Sequence, residues 1–171
     1  MNDFLQILMR YKYYLVAVLI VFVDHVAKML ARANLGHGQV VEIIPGYLRL
    51  SFVRNTGIAF GIFDGIHSVW KPYILAAIAI IALAVIVFYS VRMPRDRTLM
   101  QVALAATMGG ILGNFLDRIF RGYVIDFIEF HVHESFYWPN FNIADSAITI
   151  GIALLLLDTV IHPNMEEVAE Q

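Results

Sequence analysis

The sequence predicts an α-helical polytopic membrane protein with four transmembrane helices and a small β-sheet outside the bilayer. Two observations predict it. The 171 residues are 60% hydrophobic with a mean hydropathy of +0.71, well above the apolar share of a soluble domain. That apolar content is gathered in four runs, at about 13–30, 72–91, 99–115 and 144–161, each near the roughly 20 residues that a helix needs to cross the hydrocarbon core. The segments at about 32–71 and 119–143 carry strand-like patterning. A single membrane-embedded domain over residues 1–171 follows, since the chain has no internal repeat and no low-complexity linker.

The first run follows Arg10 and Lys12 and ends at Ala31-Arg32-Ala33, which resembles a signal-peptide cleavage site. Asp24 and Lys28 inside it argue for a span instead. Spaced i,i+4 with the acid N-terminal, they neutralise each other on one helix face. The connector that follows holds two strand candidates. Val40 to Ile44 is one, ended by the turn signal Pro45-Gly46. In the other, Leu48, Leu50 and Phe52 alternate with more polar neighbours, as on a half-buried strand. Gly57, Gly61 and Gly65 make the stretch after Arg54 a candidate mobile flap.

A short link bearing Arg92, Arg95 and Arg97 joins the second and third runs. The third closes with Asn114, Asp117 and Arg118 on one face with Gly110 and Arg121, and Gly109-xxx-Gly113 would let another helix approach closely. From Phe127 to Trp138 the chain is aromatic and β-prone, and Phe130, Phe136, Tyr137 and Trp138 suit a membrane interface. Asn142 is placed to cap the fourth helix, with Asp145 at the third position of something like a capping box. The acidic tail after Pro163 reads as disordered.

An even number of spans puts both termini on one side. The positive charge crowded at Arg10, Lys12, Arg92, Arg95 and Arg97 makes that side, and the short link, cytoplasmic by the positive-inside rule. The long connectors then face outward, although they carry Arg49, Arg54, Arg118 and Arg121 of their own. With 12 Lys+Arg against 14 Asp+Glu there is no basic block to attract nucleic acid. The absence of cysteine removes disulfides, thiolate metal sites and a cysteine nucleophile.

Ionisable side chains are costly inside a bilayer, so those retained in spans are functional candidates. Asp24, Lys28, Asn114, Asp117, Arg118 and Asp145 all approach the outer interface, and Asp126 follows the third span on that side, flanked by apolar residues. Capping alone would account for Asp145, charge compensation for Asp24 and Lys28, and a packing seam for the third-helix residues. What favours chemistry is that Asp126 and Asp145 reach the same face at similar depth from adjacent helix ends, joined by a loop long enough to let them meet. Two such carboxylates share a proton. The ionised one takes a proton from water while the protonated one polarises a scissile carbonyl and then protonates the leaving amine. No HExxH, GxSxG, P-loop or GxGxxG occurs. His131 and His133, with Glu129 or Asp126, form a weaker zinc alternative set against a solvated strand.

Four stretches together resemble the bacterial lipoprotein (type II) signal peptidases. They are Asp24-His-Val-Ala-Lys28, then Arg54-Asn55-Thr-Gly57-Ile58-Ala-Phe-Gly61, then Gly110 to Arg118 running on to Gly122-Tyr-Val-Ile-Asp126-Phe127, and finally Asn140-Phe-Asn142-Ile-Ala144-Asp145-Ser146. Their order matches over nearly the whole chain. Ile58 stands where that family often has a small residue. The resemblance implies an aspartic endopeptidase of the inner membrane, catalysed by Asp126 and Asp145 near the extracytoplasmic face, with both termini cytoplasmic. Asn55, Gly57, Asn114, Arg118 and Asn142 would line the site, and Asp24, Lys28, Asp117 and Asn140 would support it from behind. The implied substrate is a diacylglyceryl-modified prolipoprotein, met in membrane lipid and cut on the amino side of the lipidated cysteine. No metal or other cofactor is implied, and the enzyme is expected to be a monomer. The alternatives are a transporter, which requires polar groups through the full membrane thickness, and a structural scaffold, in which the aspartates would matter only for stability.

Overall fold

The computed structural model describes residues 3–36, 39–57, 69–94, 96–133 and 135–162. Four helices, α1 (Asp3–Asn34), α2 (Lys71–Arg92), α3 (Thr98–Arg121) and α4 (Ile143–Ile161), carry windows long and apolar enough to cross a membrane. Strands β1 (Val40–Ile44), β2 (Leu48–Asn55), β3 (Val124–Val132) and β4 (Phe136–Tyr137) form an antiparallel sheet in that order. The expected fold class is therefore the observed one. The expected flap beyond Gly57 and the acidic tail from Pro163 lie outside the described residues.

Local chemistry sets the boundaries. Pro72 occupies the first turn of α2, where its missing N–H is not needed, and Pro94 follows the helix just after its Met93 cap. Gly122, at φ 76°, ends α3 in the left-handed conformation and returns its N–H to the Arg118 carbonyl at 3.0 Å. Gly46, at φ 79°, lets Tyr47 N–H reach the Ile44 carbonyl at 2.9 Å and closes the β1–β2 turn signalled by Pro45-Gly46.

The central helix is α3, which packs on the other three helices and holds most of the buried helical residues. Small residues allow the close approach. A Cβ on Gly109 would lie 2.8 Å from the Ala17 carbonyl of α1, and one on Gly113 would lie 2.9 Å from Asp24 Oδ2. Gly110 faces the Ala144 backbone of α4, and a Cβ on Gly151 would meet the Ala103 carbonyl of α3 at 2.8 Å. The GxxxG seam thus receives α1, while its offset neighbour Gly110 receives α4. The outer faces present long apolar side chains such as Leu19, Phe22, Ile81, Phe88, Leu156 and Val160, suited to lipid.

The sheet docks on one end of this bundle through Phe127, which is buried with Ala31 and Leu35 and covered by Leu50, Phe52 and Ile143. The chain therefore delivers the end of α3 directly into β3, with only Gly122 and Tyr123 between them. The connector between the two aspartates, read as β-prone from Phe127 to Trp138, forms the rest of β3 and then β4, and Asp126 is itself the third residue of β3.

Candidate active site

The site forms where the C-terminal ends of α1 and α3, the N-terminus of α4 and the start of β3 converge. Asp126 stands opposite Val53 of β2, just past a register shift between Leu50 and Val53. The bulge aims Asn55, two residues on, diagonally at Asp126, and Asn55 Nδ2 donates to Asp126 Oδ2 at 2.8 Å. The amide of Asn55 is oriented by its Oδ1, which accepts Gly57 N–H at 2.8 Å. The Gly57 carbonyl in turn accepts from Arg118 Nη2 at 3.0 Å.

Asn142 joins the two carboxylates. As N-cap of α4 its Oδ1 accepts Asp145 N–H at 2.9 Å, and Asp145 Oδ2 accepts Asn142 N–H at 3.1 Å, a reciprocal capping box. With its oxygen committed to the helix, its Nδ2 faces the strand and donates to Asp126 Oδ1 at 2.6 Å. Asn142 thus caps α4 and hydrogen-bonds the Asp126 carboxylate at once. Asp24 Oδ1 satisfies the next free donor of the same helix end, Ala144 N–H, at 2.9 Å.

Behind the pair lies Lys28, fully buried, with its ammonium 2.7 Å from Asp24, 2.9 Å from Asp117 and 2.9 Å from Asn114 Oδ1. Three acceptors match its three N–H donors, which is what makes burial of the charge tolerable. Asp117 is also paired with Arg121. Asn114 then turns its Nδ2 toward Asp145 Oδ1, at 2.7 Å. Of the residues expected from sequence, Asp24, Lys28, Asn55, Gly57, Asn114, Asp117, Arg118, Asp126, Asn142 and Asp145 join one hydrogen-bonded network. Asn140 stays outside it, donating to Ser51 Oγ at 2.7 Å.

Asp126 is 1% exposed. Burial, with the Asp145 charge as a second cause, raises its carboxyl from 3.8 to about 7, against the lowering effect of the Asn55 and Asn142 hydrogen bonds and of Lys28. Asp145 lies one layer nearer the surface and lines a cavity of about 630 Å³ between α2, α3 and α4. Its lining is polar at Asn55, Asn114, Arg118, Asn140 and Ser146 and apolar at Leu75, Ile78, Ala82, Ile111 and Ile148.

Sequence reasoning missed two features. The wall contributed by α2 carries no polar marker and could not be told from lipid-facing surface. Asp158, fully buried near the far end of α4, pairs with Arg97 at 3.1 Å, so the polar groups of the spans do not all gather at one end. A lone acid inside an apolar run was the available signal. His131 and His133 also lie apart from the dyad. His131 stacks on Tyr137 with Nδ1 2.9 Å from the His133 carbonyl, and Glu129 pairs with Arg49 at 2.5 Å. Among the described residues no group of three His, Asp or Glu side chains is arranged to hold a metal.

Comparison with known proteins places this architecture. A family model described as "Signal peptidase (SPase) II" matches residues 16–161. The lipoprotein signal peptidase of Ectopseudomonas mendocina is 43% identical over 144 residues, 84% of this chain and 85% of that protein. That of Francisella tularensis subsp. novicida is 37% identical over 147 residues, covering 86% and 90%. Two solved bacterial membrane enzymes superpose with TM-scores of 0.80 and 0.76. The first is 33% identical and covers 91% of each chain, and the second is 35% identical and covers 85% of this chain and 90% of its own.

Proposed function

Because this chain belongs to the signal peptidase II family, we propose that it removes signal peptides from diacylglyceryl-modified prolipoproteins as an aspartic endopeptidase, with Asp126 and Asp145 as the catalytic pair. The observation that carries this reading is Asn142, whose side chain donates to the Asp126 carboxylate while its backbone N–H donates to that of Asp145, so that one residue contacts both carboxylates. Carboxylates so placed share a proton. The ionised member takes a proton from water as its oxygen adds to the scissile carbonyl, and the protonated member gives its proton to the carbonyl oxygen. Collapse returns a proton to the leaving amine and restores the pair.

The mixed polar and apolar lining of the groove supports a lipid-tailed substrate cut on the amino side of its lipidated cysteine, with the acyl chains toward the bilayer. Asn55, Gly57, Asn114, Arg118 and Asn142 position the peptide. One chain supplies both aspartates, which supports action as a monomer. The basic link between α2 and α3, flanked by Arg92 and Arg97, lies at the other end of the spans, so we assign both termini to the cytoplasm and the dyad to the extracytoplasmic side. The test is incubation of the purified protein in detergent with a diacylated prolipoprotein. Release of the signal peptide is expected from the wild type and from neither Asp126→Asn nor Asp145→Asn. A chelator should leave the rate unchanged, and inhibition reversed by zinc would revive the His131/His133 alternative. Substantial cleavage by either Asn variant would sink the dyad.

A further inference from the structure

We propose that Lys28, acting through Asn114, assigns the two roles in the dyad: Asp145 is held ionised as the water-activating base, and the shared proton resides on Asp126 Oδ2. This deepens the proposed function and rests on it. The argument turns on which donors around the two carboxylates can reverse into acceptors. A carboxyl that accepts only from fixed N–H donors gains most by staying charged, whereas an oxygen whose amide partner can turn has an acceptor for its proton.

Both oxygens of Asp145 face donors that cannot reverse. Oδ2 meets the backbone N–H of Asn142 at 3.1 Å, and a backbone donor has no alternative orientation. Oδ1 meets Asn114 Nδ2 at 2.7 Å. Flipping that amide would put its NH₂ against the Lys28 ammonium, now 2.9 Å from Asn114 Oδ1, and against Asn142 Nδ2 at 3.2 Å, both of which only donate. Asp145 also stands in the first turn of α4, where the helix favours negative charge.

Asp126 is held differently. On Oδ1 it faces Asn142 Nδ2 at 2.6 Å, and that amide is locked because its oxygen caps Asp145 N–H. On Oδ2 it faces Asn55 Nδ2, and the Asn55 oxygen is held only by Gly57 N–H, at the end of β2. Turning Asn142 would give up the cap and its further bonds to Asn114 Oδ1 and the Ile125 carbonyl, whereas turning Asn55 gives up the Gly57 bond alone, so of the three amides Asn55 turns at the least cost to accept an O–H from Asp126. Asn55 also lines the groove, so Oδ2 is the Asp126 oxygen whose hydrogen-bond partner reaches the cavity. The charged groups facing the pair are Asp24 and Lys28 from α1 and Asp117 and Arg118 from α3, and among the described residues Lys28 reaches the pair by hydrogen bonds through Asn114.

The step then balances. Asp145 takes the proton of water as the water oxygen bonds to the carbonyl carbon, and the carbonyl π pair moves to oxygen, which takes the Asp126 proton. On collapse Asp145 returns its proton to the amine nitrogen as the C–N bond breaks. Asp126 regains one from the diol hydroxyl as the carbonyl re-forms.

Infrared spectroscopy of the purified, substrate-free protein at about pH 6, between the ordinary carboxyl range and neutrality, reads the proton directly. The protonated-carboxyl stretch should be present in wild type, survive in Asp145→Asn and disappear in Asp126→Asn. The double variant Lys28→Met/Asp24→Asn removes the ammonium together with its i−4 partner, and the amide oxygen introduced at position 24 can still accept Ala144 N–H. In that background, adding Asp126→Asn should no longer remove the band, because Asp145 then takes up the proton. Should that variant fail to fold, Asn114→Ser, which removes the donor to Asp145 and leaves Lys28 between its two acids, gives the same readout. A band lost in Asp145→Asn and kept in Asp126→Asn overturns the assignment. A Lys28 or Asn114 variant in which the band still depends on Asp126 reduces Lys28 to a structural ion. None of these readings needs turnover, so failure of the wild type to cleave prolipoprotein would refute the function and leave the proton assignment to stand or fall by itself.

Discussion

Asp126 is kept in surroundings that suit its protonated form, and this has a thermodynamic sign. A carboxyl raised from 3.8 to about 7 binds more protons in the folded protein than in the unfolded chain across that interval, so stability falls as pH rises through it and the penalty is constant above it. Asp126→Asn removes the ionisation. Its thermal midpoint should therefore fall less than that of wild type between about pH 4 and pH 7, by an amount corresponding to a few kcal/mol. Equal pH dependence of the two midpoints would contradict the burial. Asn142 tests the neighbouring role. Asn142→Ala loses the cap and should cost on the order of 0.5–2 kcal/mol of stability. Asn142→Asp keeps an oxygen for Asp145 N–H but replaces the donor to Asp126 with a third negative charge. It should leave the midpoint near that of wild type and lower turnover at least about tenfold, roughly 1.4 kcal/mol of transition-state stabilisation. Wild-type turnover in Asn142→Asp would reduce the residue to a helix cap.

The elements were legible in proportion to how far their residues are sorted by polarity. The four spans and β1 stood out because hydropathy or a turn signal bounded them. The apolar run of the third span ends at about 115, while the helix read through Asn114, Asp117, Arg118 and Arg121 continues to Arg121, where those side chains find partners in Lys28 and Gly57 and in one another as Asp117–Arg121. The strand carrying Asp126 gave no alternation, since Val124, Ile125, Asp126 and Phe127 are all buried. That Asp126 and Asp145 come to one end of the bundle was legible from placement and resemblance. The roles of Asn142 as bridge and Lys28 as hub needed coordinates, because spacing says nothing about which way an amide faces. The α3–α4 seam offers the element-level prediction. A Cβ at Gly110 would press on the Ala144 backbone carbonyl, which cannot rotate away, so Gly110→Ala should destabilise by about 1–3 kcal/mol. It should lower kcat more than Gly151→Ala does, because Gly110 abuts the turn of α4 that holds Asp145. Equal loss of stability and rate in the two variants would show that the seam does not position the site.

The whole molecule is fastened at both ends of α4, by Asn142 and Asp24 at one and by Arg97 on Asp158 at the other. The two aspartates of that helix, Asp145 and Asp158, stand about 20 Å apart at 1.5 Å per residue. Arg97→Ala should therefore cost on the order of 3 kcal/mol, as for a partner removed from a buried acid, while the pH optimum of cleavage stays where it is. A displaced optimum would mean that the two ends communicate. The Lys28 cluster differs in how far apart its members lie along the chain, since Asn114 is 86 residues from Lys28. At a synthesis rate of roughly 5–20 residues per second, the lysine emerges on the order of ten seconds before α3 exists to receive it. Only Asp24, one helical turn away, accompanies it from the start. During biogenesis the ion pair is thus an insertion unit before it is part of a site, and Asp24→Asn should lower the fraction of newly made chains that integrate into the membrane. Asp117→Asn, which removes a partner that arrives late, should leave integration intact and shorten the lifetime of the finished protein.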